Sequence, residues 1–332
     1  MPFTKNYRTP AQLTGVARGA FRAHVENYVT AGLLPIKANY TLDYNLNVGE
    51  SILPPAASYR AYSTESEVGT IVGGETRSGK LPPISIRTPV DEYQQLFMYG
   101  QQDGIGAAFE ERAIRNAQAV GSRVVLAQAE AIEKGKVTIA ERKLSFEINF
   151  GRKAGLTAAA GTPWSTTATA TPIADMEAIR TVLGKSIVRN LVSQQTASYL
   201  QANADLMKLA LGRGSDLPSR ISWEDVRSVF RDWQLGELEI NTEKVVNQAG
   251  AEVPLFSADK VVVLTATQIG TTELGVTAES LQQANGIAQG QAAGLFSGAK
   301  EDDDPAGYNV LVSAIALPVA SATNNTASLD VF

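Results

Sequence analysis

Few side chains in this 332-residue sequence are of types and spacings that could do chemistry. The nearest approach to a familiar motif is Gly74-Glu-Thr-Arg-Ser-Gly79-Lys80-Leu81, which resembles a glycine-rich phosphate loop. Such a loop needs Ser or Thr after the lysine to hold magnesium, and a helix must open there so that backbone N–H groups face the phosphates. Leu81 replaces the hydroxyl, and Pro82 and Pro83 follow at once, which opposes a helix. The stretch therefore reads as an extended arm tip carrying two cations, Arg77 and Lys80, and a nucleotide-binding enzyme using this degenerate loop at 74–80 is the minor alternative. Gly104-Ile-Gly106 lacks the third glycine and the preceding strand of a dinucleotide fingerprint, and reads as a helix entry. Glu301-Asp302-Asp303-Asp304 lacks the alternating ligands and glycine of a calcium loop, so it reads as an exposed turn before Pro305. The chain has no cysteine and one histidine, His24, which excludes thiolate nucleophiles, cysteine metal sites and clusters of histidine ligands. His24 lies beside an apolar helical stripe and reads as a packing or surface residue. No catalytic residue, cofactor or metal ligand is assigned.

The overall charge is −5, which argues against a dedicated nucleic-acid binder. Residues 1–42 are locally basic, with Lys5, Arg8, Arg18, Arg22 and Lys37 against Glu26. They read as a solvated helix face, or, more sharply, as a weak attraction to a polyanion. The uncharged runs at 154–174 and 305–329 are broken by Pro and Gly or are too short in their apolar part to span a bilayer, and no export signal opens the chain.

The elements that must carry these residues follow from periodicity. Leu13, Val16, Ala17, Ala20, Phe21, Val25, Tyr28 and Val29 form one stripe, which predicts a helix over about 10–31. Residues 48–88 hold short β-prone runs broken by Pro and Gly, with no stripe long enough to build a core, and read as a β-hairpin-like arm. Phe109, Ala113, Ala117, Val120, Val124, Ala127 and Ala131 repeat at helical spacing, which predicts a long helix over 105–134, stopped by Gly135. Leu144, Phe146, Ile148 and Phe150 alternate with polar residues as in a half-buried strand, paired with a short run at 137–140. Beyond Gly151, Thr171-Pro172 opens a helix expected to reach about Arg189. Ser222 and Asp225 suggest a capping box, residues 260–265 a buried strand, Thr277 a helix cap, and Tyr308–Pro318 an apolar strand. An arm without a core, a very long helix and a discontinuous α/β body suit a subunit whose surfaces are completed by neighbours.

The order of these segments resembles a known family. "AIEKGKVTI", "LSFEINFGRKAG", "GTPWSTTATATPIADMEAI", "FSADKVVVLTATQIGTTELGVTAES" and "AKEDDDPAGYNVLVSAIALPVASAT" are similar to the lambda-type major capsid proteins of tailed phages, the major capsid protein E family. The stretch at about 190–255 matches least. The resemblance implies an α+β, Hong Kong 97-type phage capsid fold with an N-arm, an extended β-hairpin E-loop, a peripheral domain and an axial domain. Carried onto this sequence, the N-terminal arm and helix are 1–47 and the E-loop is 48–88. The peripheral domain is 89–154 and 301–332, with its spine helix at 105–134, and the axial domain is 155–300.

The function so implied is a major capsid protein that self-assembles, as hexamers and pentamers, into an icosahedral virion head around double-stranded DNA. The DNA would be held only weakly and without specificity, and no membrane is involved. The resemblance also implies a portal and a separate scaffold protein, because the residues before Pro35 are too few for a fused scaffold, while the sequence is silent on a decoration protein. A shell protein of a cellular nanocompartment with the same fold is the rival reading. A tail or adhesion protein is disfavoured by the lack of repeats. The basic arm and the acidic helix start nominate Arg77, Lys80, Glu110 and Glu111 as inter-subunit contacts.

Overall fold

The computed structural model describes residues 3–48, 59–60, 62, 65, 75–98, 101, 103–141, 144–212, 216–303 and 306–332. Helix α1 (Pro10–Glu26) begins with a capping box. Thr9 Oγ1 accepts from the Gln12 N–H, the Gln12 side chain accepts from the Thr9 N–H, and Pro10 takes the first helical position. Its stripe of Leu13, Ala17, Phe21 and Val25 is buried. The helix expected to run to about residue 31 instead stops at Glu26 and resumes as α2 (Thr30–Leu33). At the break the Val29 N–H donates to the carboxylate of the distant Glu243 rather than to a helical carbonyl.

Strands β1 (Ile36–Ala38), β2 (Asp43–Val48), β3 (Glu75–Lys80) and β4 (Pro83–Val90) follow, then α3 (Glu92–Met98) and α4 (Gly104–Lys134). At 31 residues, α4 is about 46 Å long at 1.5 Å per residue. Gly135, at φ +65°, ends it with its N–H on the Ala131 carbonyl. Strands β5 (Lys136–Glu141) and β6 (Leu144–Asn149) form the expected antiparallel pair.

The next elements are β7 (Thr157–Ala159), α5 (Pro172–Leu183), β8 (Arg189–Val192), α6 (Gln194–Gln201), α7 (Ala204–Leu211) and α8 (Trp223–Asp232). Helix α5 ends six residues before the expected Arg189, because Gly184 turns left-handed at φ +60°. Ser222 and Asp225 do form the capping box of α8. Then come β9 (Glu237–Ile240), β10 (Lys244–Val246), β11 (Glu252–Pro254), β12 (Lys260–Leu264), β13 (Thr271–Leu274), α9 (Ala278–Leu281), β14 (Phe296–Asp303), β15 (Ala306–Val319) and β16 (Thr326–Asp330).

Two sheets anchor two hydrophobic cores. In the first, β15 lies between β4 on one flank and both β13 and β14 on the other, with β1 beyond β13. Helices α1 and α4 pack on it, burying Phe21, Phe109, Val120, Ile132, Val310 and Val312. The second sheet runs β7-β16-β12-β8-β9. Its core holds Trp164, Met176, Leu200, Phe230, Val263 and Leu329 under helices α5 to α8.

Sequence order does not follow this division, and several expected boundaries are corrected. The segment 301–332, assigned to one domain, splits: β15 joins the first sheet and β16 the second. The segment 155–300 also splits, because Val245, Leu255, Phe256, Leu274 and Leu295 belong to the first core. Most of the arm expected over 48–88 lies outside the described residues; of what flanks it, β2 from Asp43 pairs with β3, and β4 is an integral strand of the first sheet. Glu301–Asp303 end strand β14 rather than forming a free turn, and Asp304 and Pro305 lie outside the described residues.

Candidate assembly surfaces

The segment before α1 is strapped across β14. Phe3 lies edge-on to Phe296 with ring centroids 4.9 Å apart, and the Lys300 ammonium sits 4.6 Å from the Phe3 ring centroid. The Thr4 N–H donates to the Ala299 carbonyl at 2.8 Å. Gly298 permits this, since a Cβ there would meet the Phe3 ring at 2.7 Å. Further along, Tyr7 packs edge-on against both Phe109 and Tyr308. Arg8 closes the strap by pairing with Asp103, just ahead of α4, and with Glu110 at 2.5 Å. The guanidinium holds the Asp103 carboxyl below its usual range. Gly106 leaves the space for that pair, because a side chain there would collide with both partners.

These contacts bear on the four nominated residues. Arg77 lies on β3, where it pairs with Leu46 of β2, and donates to the Asn149 carbonyl of β6 at 3.0 Å within the same subunit. Lys80 is exposed, opposite Asp43 at the end of β3 that leads into β4. It is therefore at the base of the strand pair and not at an arm tip. Gly74 lies outside the described residues, and 75–80 is extended strand followed by Leu81 and β4, so no helix opens where a phosphate loop requires one. Glu110 is taken by Arg8, and Glu111 pairs with Arg115 one turn on, at 2.6 Å. The structure brings Arg77 and Lys80 onto one strand and Glu110 and Glu111 onto one helix, but does not bring the two pairs together within a subunit.

Sequence reasoning missed the polar groups that key α4 in place. Buried Asn116 accepts from Thr88 Oγ1 at 2.5 Å and donates to the Val310 carbonyl at 2.9 Å, fixing α4 to β4 and β15. Buried Gln128 accepts from Thr30 Oγ1 at 2.8 Å and donates to Thr272 Oγ1 at 2.7 Å. At the far end, Arg152 donates to the last-turn carbonyls of Ile132 and Glu133 and to Thr326 Oγ1 of β16. Burial pulls its guanidinium down to about 10. The Glu133 carboxylate accepts from the Ser257 N–H and hydroxyl, both at 2.8 Å, with Lys260 at 3.6 Å. The end of α4 is thus the joint between the two cores.

His24, the one residue with the reach of acid–base chemistry near neutral pH, is half-buried between α1 and α4. It lies 3.0 Å from Ser122 Oγ and edge-on to Tyr28, and burial pushes its pKa down. On the second core an open recess of about 680 Å³ is lined by Arg180, Lys185, Arg231 and Glu237. Its cations are already engaged: Arg180 with the Trp233 carbonyl, Lys185 with Asn325, and Arg231 with Glu224. Among the described residues no group of three or more His, Asp or Glu could hold a metal ion, and no helix is long and apolar enough to cross a membrane.

Residues 52–331 match the profile of the family described as phage major capsid protein E. The fold is similar to that of a candidate capsid protein from a prophage of Escherichia coli CFT073. The likeness covers 95% of this chain and 99% of that one, at TM-score 0.62 and 16% identity. It is also similar to a phage-related protein of Bordetella bronchiseptica RB50, over 94% and 95% of the two chains, at TM-score 0.54 and 13% identity. No curated protein matches the sequence. The α+β architecture is the Hong Kong 97-type capsid fold that the sequence led one to expect. The chain belongs to the phage major capsid protein E family, as a shell-forming subunit whose place is the virion.

Proposed function

We propose that this subunit is purely structural and builds, through hexamers and pentamers, an icosahedral head that encloses double-stranded DNA. The family match over 52–331 carries the reading. A separate scaffold protein and a portal complete the assembly set, and the acidic net charge of −5 suits a container that holds its DNA loosely. Electron microscopy and sedimentation of the protein, expressed alone and with scaffold genes, give closed shells, tubes or free capsomers. A strict monomer under both conditions would overturn the proposal. Neighbouring portal and terminase genes, rather than a cargo enzyme, separate the phage head from a cellular nanocompartment.

The nominated contacts belong to the same proposal. Arg77 and Lys80 of one subunit dock on Glu110 and Glu111 at the start of a neighbour's α4. Each Glu has a cation within its own subunit, so docking exchanges or shares solvent-screened surface pairs that are individually weak. The contact therefore acts by repetition over many copies. Reversing both charges, Arg77→Glu with Lys80→Glu, is expected to weaken or block shell formation while leaving the subunit's unfolding transition in place. Normal shells from that variant would remove these four residues from the interface.

A further inference from the structure

Strand β4 is an outer strand of the first sheet: it pairs with β15 on one side, and no described strand covers the other. An antiparallel ladder alternates residues that bond across it with residues whose N–H and C=O point away. Its phase is fixed at one end, where the Ala316 N–H donates to the Pro82 carbonyl. Even-numbered positions, Ile84, Ile86, Thr88 and Val90, therefore bond to β15. The outward backbone belongs to Pro83, Ser85, Arg87 and Pro89, all of them exposed.

Two of those four residues have no N–H. They also stand at the two ends of the outward row, so the edge offers donors only at Ser85 and Arg87, and no ladder can extend past either end. Pro89 would break the β15 ladder if it stood one position earlier or later. It stands where its missing N–H costs the subunit nothing and costs an incoming strand a bond.

We propose that Pro83 and Pro89 close this edge to strand addition by a second copy of the chain. This rests on the shell-forming reading above and deepens it: subunits held at high local concentration meet through side-chain surfaces, and the sheet is not continued from one copy into the next.

The test compares wild type with Pro83→Thr/Pro89→Thr, which restores both outward N–H groups with a strand-favouring residue. A third protein adds Arg87→Pro to that pair and so removes a different outward donor. Each is concentrated after purification and followed by turbidity, sedimentation and the cross-strand diffraction spacing of any pellet. The double variant is expected to give several-fold more β-rich sedimenting material, and Arg87→Pro is expected to reverse the gain. An unchanged aggregate fraction in the double variant overturns the proposal. So does a gain that Arg87→Pro fails to reverse, since the cause would then be a damaged fold. Wild type that forms no shells in the same preparations would count against the shell reading instead.

Discussion

Two outer strands of the first sheet, β14 and β4, are finished in opposite ways. On β14 part of the outward backbone is used by the chain itself: Thr14 Oγ1 accepts from the Ser297 N–H and donates to its carbonyl, and the Thr4 N–H donates to the Ala299 carbonyl. On β4 the outward groups have no described partner, and prolines stand at both ends. One edge is bonded and buried along Phe296–Ala299, and the other is exposed and lacks two of its donors. The difference teaches that an edge needed for the subunit's own stability is closed by bonds, whereas an edge it does not need can simply be made unattractive to strands.

The comparison predicts that damage to the β14 side costs stability, while damage to the β4 side costs only order in assembly. The largest loss is expected from Phe3→Ala, which empties the contact on Phe296 and frees the strap. Urea unfolding should show about 3 kcal/mol, the lower end for a buried Phe. A cost under ~0.5 kcal/mol would mean the strap contributes nothing and both edges are open in solution. Thr14→Val keeps the shape but strands the Ser297 N–H and carbonyl in a buried site, for roughly 1–3 kcal/mol in the same measurement. Gly106→Ala should lower the urea midpoint slightly by pushing the Asp103 and Arg8 side chains apart. Combined with Arg8→Ala it should cost less than the sum of the two changes, because both break the Arg8–Asp103 pair.

The smallest expected effect is in pH. His24 is folded with a depressed pKa, so on acidification the unfolded chain binds a proton first. Stability is therefore full above about pH 6.5 and falls as the pH drops below it, until the folded imidazole also protonates. His24→Gln should flatten that decline in unfolding measured from about pH 7 to about 5.5. An unchanged slope would assign the decline to carboxylates.

Much of the fold was legible because it rests on local periodicity. The seam of α4, the alternation of β6 and the capping box at Ser222 are each written within a few residues. The family likeness came from their order. What could not be read was which sheet a strand joins, since β13 and β16 are similar short runs that settle in different cores. Nor could the Arg8–Asp103 pair be seen: its partners are 95 residues apart, and its one local sign is a glycine inside a helix. The nominated contacts relied on charge alone, and charge does not reveal that Glu110 is already occupied.

The placement of β15 and β16 also has a consequence for synthesis. Each is an inner strand of its sheet, with neighbours on both sides, and each lies beyond residue 305. A chain emerging in order from the ribosome has β4, β13 and β14 waiting without the strand that joins them, and β7 and β12 likewise. Neither core can close on an incomplete chain. A chain cut short before β15 therefore lacks the strand that joins each sheet, and the last tenth of the sequence completes both cores at once.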